Sequence, residues 1–170
     1  TYIGRFIPEK GIKSIIDTSK SQRLINLGVH FVLAGDGPRS SEVELAQGES
    51  LHWVGRLSAA DVSALLQQSN LLCLPTRSEG FSTILLEAAA CGCPAVVTDV
   101  GGARELIPSS EYGTIIQSMS TESVERAINQ VVSNRSLLKS QSKAVRMLVE
   151  SKHSWRDSAE LLCYAFAIGE

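Results

Sequence analysis

Short apolar runs alternate along this chain with longer segments whose apolar residues recur at helical spacing, and Gly, Pro and Ser stand between them. The alternation is typical of a parallel β-sheet with helices in its crossovers. We predict strands at Tyr2–Phe6, His30–Ala34, Leu51–Val54, Leu71–Pro75, Ala95–Thr98 and Gly113–Ile116. We predict helices at Ile12–Leu27, Ala59–Gln68, Thr83–Cys91, Ala103–Ile107, Glu122–Ser133, Leu137–Lys152 and Trp155–Ile168.

This order of elements predicts an α/β fold, a Rossmann-like doubly wound parallel sheet of about six strands with helices on both faces. Ligands of such sheets bind beyond the carboxyl ends of the strands, so we expect the chemistry in the loops that follow them. The length of 170 residues suits one domain with its own core. We expect residues 1–170 to form one domain, with a helical segment at 153–170, and to be part of a longer polypeptide because Thr1 already lies in a strand.

The composition is that of an ordinary globular protein, with 44% apolar residues, 20% charged residues and a net charge of -2. This balance argues against a nucleic acid as partner. The four cysteines lie in apolar surroundings, and the pair Cys91 and Cys93 lacks the two-residue gap of common zinc and redox motifs. With no apolar run of about 20 residues and no signal peptide, we expect reduced thiols and a cytoplasmic protein.

Two cations flank the loop after the first strand. Arg5 ends that strand and Lys10 precedes the next helix, whose first amides also favour an anion. Either residue alone is more simply a solvated surface cation. The pair at a helix start is better support for a phosphate site than either one.

The loop after the fourth strand leads into a second helix start. Gly80 permits a sharp turn, and Ser82 and Thr83 begin a helix whose first amides point back towards the same edge of the sheet. A diphosphate between these amides, Arg5 and Lys10 gains charge-assisted bonds of about 1.5–3 kcal/mol each.

Two glutamates bracket that helix start. Glu87 lies among Ile, Leu, Ala and Cys, so we expect a buried carboxylate that needs donors. The vicinal hydroxyls of a ribose would supply them, and Glu79 would then face the other end of the ligand. The alternatives are that Glu87 pairs with a nearby cation or backbone amides and that Glu79 is a surface acid.

Arg56 and Leu57 lie in the loop after the third strand. They are able to frame a flat base, although an ordinary loop has the same composition. Ser58 is a plausible N-cap of the following helix. The sequence contains no Asp-x-Asp, the acid pair that a metal-bridged diphosphate requires, so we expect no metal.

Four segments together resemble a known family: "GRFIPEKG", "LAGDGP", "VGRLS" and "EGFSTILLEAAACGCPAVVTDVGGARELI". They resemble the C-terminal domain of retaining glycosyltransferases of the GT-B fold, in the family 4 group that includes bacterial polysaccharide and lipopolysaccharide sugar transferases. The fourth segment carries the E-x7-E signature of that group. The resemblance extends to the terminal "SWRDSAELLCYAF".

The resemblance implies a donor site for a nucleotide sugar, with a UDP-sugar slightly preferred. By motif match, Arg5 and Lys10 bind the diphosphate together with the amides around Phe81, Ser82 and Thr83. Glu79 then contacts the donor sugar and Glu87 the ribose, while Arg56 and Leu57 line the base.

The resemblance also implies a reaction that moves a hexose from a nucleoside diphosphate to an acceptor hydroxyl with retention of configuration and without a metal. A complete enzyme of this kind has an N-terminal domain that binds the acceptor, and some act at the inner membrane surface. The 170-residue chain is therefore expected to transfer little sugar by itself. The alternatives are a non-catalytic, regulatory nucleotide-binding module and a nucleotide-sugar epimerase of related fold.

Overall fold

The structure, a computed structural model, describes residues 1–152. The predicted helix Trp155–Ile168 and the predicted terminal segment 153–170 lie outside the described residues. Within residues 1–152, no helix combines the length and apolar character needed to cross a membrane.

The strands form two parallel sheets of three strands each, in the orders β1-β2-β3 and β4-β5-β6. Their bounds are β1 Tyr2–Ile3, β2 Phe31–Ala34, β3 Leu51–Trp53, β4 Leu72–Leu74, β5 Ala95–Thr98 and β6 Thr114–Ile116. The two sheets meet at β1 and β4, where the Cys73 amide donates to the Thr1 carbonyl (2.8 Å) and the Thr1 nitrogen to the Leu71 carbonyl (2.7 Å). The spatial order is therefore 3-2-1-4-5-6, that of a doubly wound sheet. The predicted fold class is confirmed.

The helices cover the two faces of the sheets. Their bounds are α1 Ile12–Thr18, α2 Gln22–Asn26, α3 Ser40–Ala46, α4 Ala59–Gln68, α5 Thr83–Ala90, α6 Ala103–Leu106, α7 Thr121–Val132 and α8 Arg135–Lys152, with a 3₁₀ turn at Pro8–Lys10. Because helices cover both faces of the strands, most strands consist of continuous apolar runs rather than alternating apolar and polar residues.

The structure differs from the helix predictions in two places. A single helix over Ile12–Leu27 is wrong, because the chain turns after Thr18 and Ser21 begins a new helix by accepting a hydrogen bond from the Leu24 amide. The sequence analysis also missed α3. That helix buries only Val43, so it has too thin an apolar face to produce a helical period.

The Ser58 cap is confirmed. The Ser58 hydroxyl accepts a hydrogen bond from the Asp61 amide at 3.3 Å and donates to the Asp61 carboxylate at 2.7 Å. This arrangement starts α4 directly after the loop that contains Arg56 and Leu57.

The core is centred on the middle strands. Leu33, Leu72 and Val96 have no exposed surface. Phe6 lies between Tyr2 and Trp53, with ring centroids 6.0 Å and 5.9 Å away. Aromatic pairs at such spacing add to the free energy gained from burial. This cluster supports the loops at the carboxyl ends of β1 and β3.

Candidate functional site

The site lies where β1 and β4 end side by side, the point at which the strand order reverses. A cavity of about 150 Å³ opens there, and a second of about 230 Å³ adjoins it over β1, because Ile3 and Gly4 line both. We call them the inner cavity and the outer cavity. The inner cavity is lined by Tyr2, Ile3, Gly4, Lys10, Leu74, Thr76, Glu79, Phe81, Ser82, Thr83 and Ile84.

Lys10 and Glu79 meet at the wall of the inner cavity. The Lys10 Nζ lies 2.6 Å from the Glu79 Oε2 and donates to the Ser78 carbonyl at 3.3 Å. The Lys10 and Glu79 side chains are 27% and 28% exposed. They are sheltered from solvent but still accessible to a ligand. The sequence analysis placed both residues at this edge and did not foresee the ion pair.

Backbone contacts join the two segments that carry the ion pair. The Glu9 carbonyl accepts hydrogen bonds from the Arg77 amide at 2.7 Å and the Thr76 hydroxyl at 3.1 Å. Gly11 has φ +67°, and a Cβ on it would overlap the Pro75 carbonyl oxygen. The 3₁₀ turn and the loop after β4 therefore form one rigid wall.

A second loop supports the turn at Gly80. The Gly102 amide donates to the Gly80 carbonyl at 2.9 Å. Gly101 has φ +52°, and a Cβ on it would overlap the carbonyl oxygens of Glu79 and Gly80, while a Cβ on Gly102 would lie 2.9 Å from a ring carbon of Phe81. The double glycine thus permits close contact between two loops.

Helix α5 begins at the inner cavity. Its N-cap Ser82 makes no capping hydrogen bond with its side chain, and Ser82, Thr83 and Ile84 all line the cavity. The first amides of an α-helix have no acceptor within the helix. Because the Ser82 hydroxyl does not occupy them, the start of α5 offers donors and a positive dipole end to an anion.

The expectation that Glu87 is buried is wrong. Glu87 is exposed, and so is Thr83 one helical turn earlier. Residues four apart share a face of a helix. The core instead takes Leu85, Ala88 and Ala89. The Glu87 carboxylate therefore lies on the exposed face of α5 that starts at the inner cavity.

Arg5 lines the outer cavity together with Arg56 and Leu57. The predicted convergence of Arg5 with Lys10 is thus only partial: they line different cavities that adjoin at Ile3 and Gly4. Arg5 follows the end of β1 directly, whereas Lys10 ends the 3₁₀ turn Pro8–Lys10. The sequence could not show that the end of β1 divides the two.

Asp36 also lines the outer cavity, where its carboxylate lies 3.2 Å from the Arg56 Nε. The sequence analysis did not assign it a role. Its loop is pressed against β1, since a Cβ on Gly35 (φ +129°) would overlap the Gly4 carbonyl oxygen. The Gly35 amide donates to the Gly55 carbonyl at 2.7 Å. The glycines flanking Asp36 thus serve close packing of three strand ends.

The thiols described by the structure are free cysteines, with Cys73 and Cys93 buried and Cys91 half-buried. Burial raises the pKa of Cys73 to about 12 and that of Cys93 to about 11. Such thiols stay protonated and are inert as nucleophiles at neutral pH. Among residues 1–152 no group of three or more His, Cys, Asp or Glu is arranged to hold a metal ion.

The model of the family described as glycosyl transferases group 1 matches residues 1–147. The chain belongs to this family. Among curated members, the glycogen synthase of Mycobacterium tuberculosis is 26% identical over 163 residues, which cover 93% of this chain and 39% of that protein. The chain spans about two fifths of the length of the curated relatives that it matches first.

Solved glycosyltransferases share the fold. Anabaena HepE, determined in complex with UDP, has a TM-score of 0.83 at 18% identity, covering 98% of this chain and 47% of that chain. The C-terminal domain of the group 1 family protein LpcC from Francisella tularensis has a TM-score of 0.76 at 19% identity, covering 91% and 85%. The group 1 chain described here thus has the α/β fold of a domain found in solved GT-B glycosyltransferases.

Proposed function

We propose that this group 1 chain is the donor-binding half of a retaining, family 4 glycosyltransferase. It transfers a hexose from a nucleotide sugar to an acceptor hydroxyl in the synthesis of a polysaccharide or lipopolysaccharide. The observation that carries the proposal is the inner cavity, where Lys10 and the uncapped start of α5 face one another at the switch point of the sheet. UDP in the HepE structure makes a UDP-sugar the preferred donor.

The diphosphate lies in the inner cavity. Lys10 supplies a positive charge and the backbone around Phe81, Ser82 and Thr83 supplies N–H donors. Anions are favoured at helix N-termini because unpaired amides and the helix dipole act together. Each charge-assisted bond contributes about 1.5–3 kcal/mol.

The base lies in the outer cavity. Leu57 offers an apolar surface to a flat ring, and Arg56 lies beside it. Arg5 lines the same cavity, and in this proposal its guanidinium binds the α-phosphate, which is the phosphate of the diphosphate that is esterified to the ribose.

The sugars are bound by the two glutamates. Glu87 is one turn beyond Thr83 on the exposed face of α5, where its carboxylate accepts hydrogen bonds from ribose hydroxyls. Glu79 lines the inner cavity and accepts from hydroxyls of the donor hexose. Carboxylates are acceptors only, which suits neighbouring hydroxyl donors.

The chemical contribution of this half is electrostatic. Breaking the bond between the anomeric carbon and the diphosphate leaves additional negative charge on the departing phosphate. In this proposal the bound diphosphate already contacts Arg5, Lys10 and the amides of α5 before that charge develops, so these groups stabilise the transition state. In this proposal these cations replace a metal ion.

The acceptor is bound by a second domain of the same polypeptide. The 170-residue chain then binds donor weakly and transfers little or no sugar. Full-length proteins of this kind would be cytoplasmic, with peripheral association at the inner membrane surface when their acceptors are lipid-linked. Robust transfer by the purified chain would contradict this part of the proposal.

Isothermal titration calorimetry with UDP, GDP and their sugars tests the donor site. We expect one nucleotide series to bind, and binding to weaken about tenfold in Arg5→Ala, which corresponds to about 1.4 kcal/mol. Arg23→Ala is the matched control, because Arg23 is an exposed cation on α2 away from both cavities. If no nucleotide binds at millimolar concentration, the donor-binding function is wrong.

A further inference from the structure

The Lys10–Glu79 ion pair joins two residues that the proposed function assigns to different parts of the donor. In that proposal Lys10 binds the diphosphate and Glu79 binds the hexose. In the structure they bind each other, with Nζ and Oε2 2.6 Å apart and about one quarter of each side chain exposed. An ion pair at this depth is less screened than a fully exposed one.

This ion pair weakens the binding of a free nucleoside diphosphate. To bind Lys10 the diphosphate competes with the Glu79 carboxylate, which then shares or loses the Lys10 cation and lies beside two negatively charged phosphate groups. Glu79 is held near that position because the Thr76 hydroxyl and the Arg77 amide tie its loop to the Glu9 carbonyl. The like charges repel, and the lost ion pair is not replaced.

An intact nucleotide sugar offers a replacement. Its hexose extends beyond the diphosphate and carries hydroxyl donors, which are the groups that a carboxylate accepts. Glu79 then exchanges Lys10 for hydroxyl groups at the moment when the diphosphate takes Lys10. Hydrogen bonds to an ionised acceptor are among the stronger ones in proteins.

We propose that Glu79 sets the preference of the site for the intact donor over the free nucleoside diphosphate, by competing with the diphosphate for Lys10 whenever no sugar is attached. This inference rests on the proposed function. It gives Glu79 a role after the reaction as well: once the hexose has left, the carboxylate returns to Lys10 and favours release of the product.

Calorimetry with UDP and with UDP-glucose on the 170-residue chain separates two effects of Glu79: its competition with the diphosphate for Lys10 and its binding of the hexose. In Glu79→Gln we expect UDP to bind about two- to fivefold more tightly, the range that corresponds to a partly exposed ion pair. UDP-glucose should gain nothing, so the ratio of the two dissociation constants falls. Glu9→Gln is the control, since Glu9 is an exposed carboxylate directly before Lys10, and it should leave the ratio unchanged.

A thermodynamic cycle makes the test specific to Lys10. In a Lys10→Gln background, Glu79→Gln should no longer tighten UDP binding. Circular dichroism confirms that each variant is folded, and Glu79→Ala replaces Glu79→Gln if the latter is not.

The outcomes are distinguishable. If folded Glu79 variants bind UDP no better than the wild type, or if Glu9→Gln changes the ratio equally, the inference is overturned while the donor site stands. If the wild type binds neither UDP nor any other nucleotide at millimolar concentration, the proposed function fails and this inference with it.

Discussion

Gly11 packs directly against the backbone of Pro75, so closely that a Cβ on Gly11 would overlap the Pro75 carbonyl oxygen. This contact joins the end of the 3₁₀ turn to the loop after β4. It holds the turn that ends at Lys10 against the loop that leads to Glu79, and these two residues form the ion pair at the wall of the inner cavity.

Gly11→Ala should therefore destabilise the fold more than a positive φ alone explains. Gly28→Ala is the matched control, because Gly28 has φ +71° but a Cβ there meets nothing within 4 Å. We expect a loss of about 1–2 kcal/mol in the free energy of unfolding for Gly28→Ala and a clearly larger loss for Gly11→Ala. Urea unfolding followed by circular dichroism measures both. Equal losses would show that the Pro75 contact is relaxed at no cost.

Lys10→Ala should weaken UDP binding by about tenfold or more, because one charge-assisted bond of about 1.5–3 kcal/mol is lost. Lys13→Ala is the control: Lys13 is 67% exposed and pairs with Asp17 within α1. Calorimetry at two salt concentrations checks the origin of the effect, since the loss should shrink as salt rises. Equal effects of the two variants would place the diphosphate elsewhere.

Glu87→Gln should reduce UDP affinity without changing stability. Glu87 is exposed, so we expect its substitution to change the free energy of unfolding by less than about 0.5 kcal/mol. Loss of a carboxylate acceptor for ribose hydroxyls should weaken UDP binding several-fold and leave pyrophosphate binding unchanged. Glu44→Gln, an exposed glutamate on α3, is the control for stability and affinity. A similar loss of pyrophosphate binding would show that Glu87 does not act through the ribose.

Stability should fall as pH rises above about 9. Burial raises the pKa of Cys73 from 9.0 to about 12, so the folded protein keeps a proton that the unfolded chain releases. The contribution is fully present below pH 9.0 and is lost as pH rises towards 12. One such group contributes a slope of at most about 1.4 kcal/mol per pH unit.

Urea unfolding between pH 7 and pH 10 measures this slope. Cys73→Ala should flatten it, whereas Cys91→Ala, at a half-buried cysteine, should not. Substitution of Cys73 will also lower stability at pH 7, but only the pH dependence reports on the thiol. An unchanged slope in Cys73→Ala would assign the effect to other groups.

The strand pattern and the start of α5 could be predicted from the sequence because their causes are local. Apolar runs such as Ala95–Thr98 belong to strands buried on both faces. Gly80 is unfavourable inside a helix, so the sequence itself predicts that the helix begins after Gly80, near Thr83. Lys10 and Glu79 were both placed at one edge of the sheet, since parallel strands end together.

The failures concern which side of an element faces the core. Glu87 has apolar neighbours along the chain, yet it is exposed because α5 buries Leu85, Ala88 and Ala89 in the core on its opposite side. The break between α1 and α2 follows from packing against α7, where Ser21 donates to Glu125 at 2.8 Å. Neither partner is near in the sequence.

The sequence by itself determined the α/β class, the strand ends where ligands bind, and the residue types of a phosphate site, because periodicity, turns and charge are properties of neighbouring residues. Only the tertiary structure decided that Lys10 pairs with Glu79 across 69 positions and that Arg5 lines a separate cavity. Those relationships depend on how two halves of the sheet meet at β1 and β4, and packing over that distance leaves no local signal in the chain.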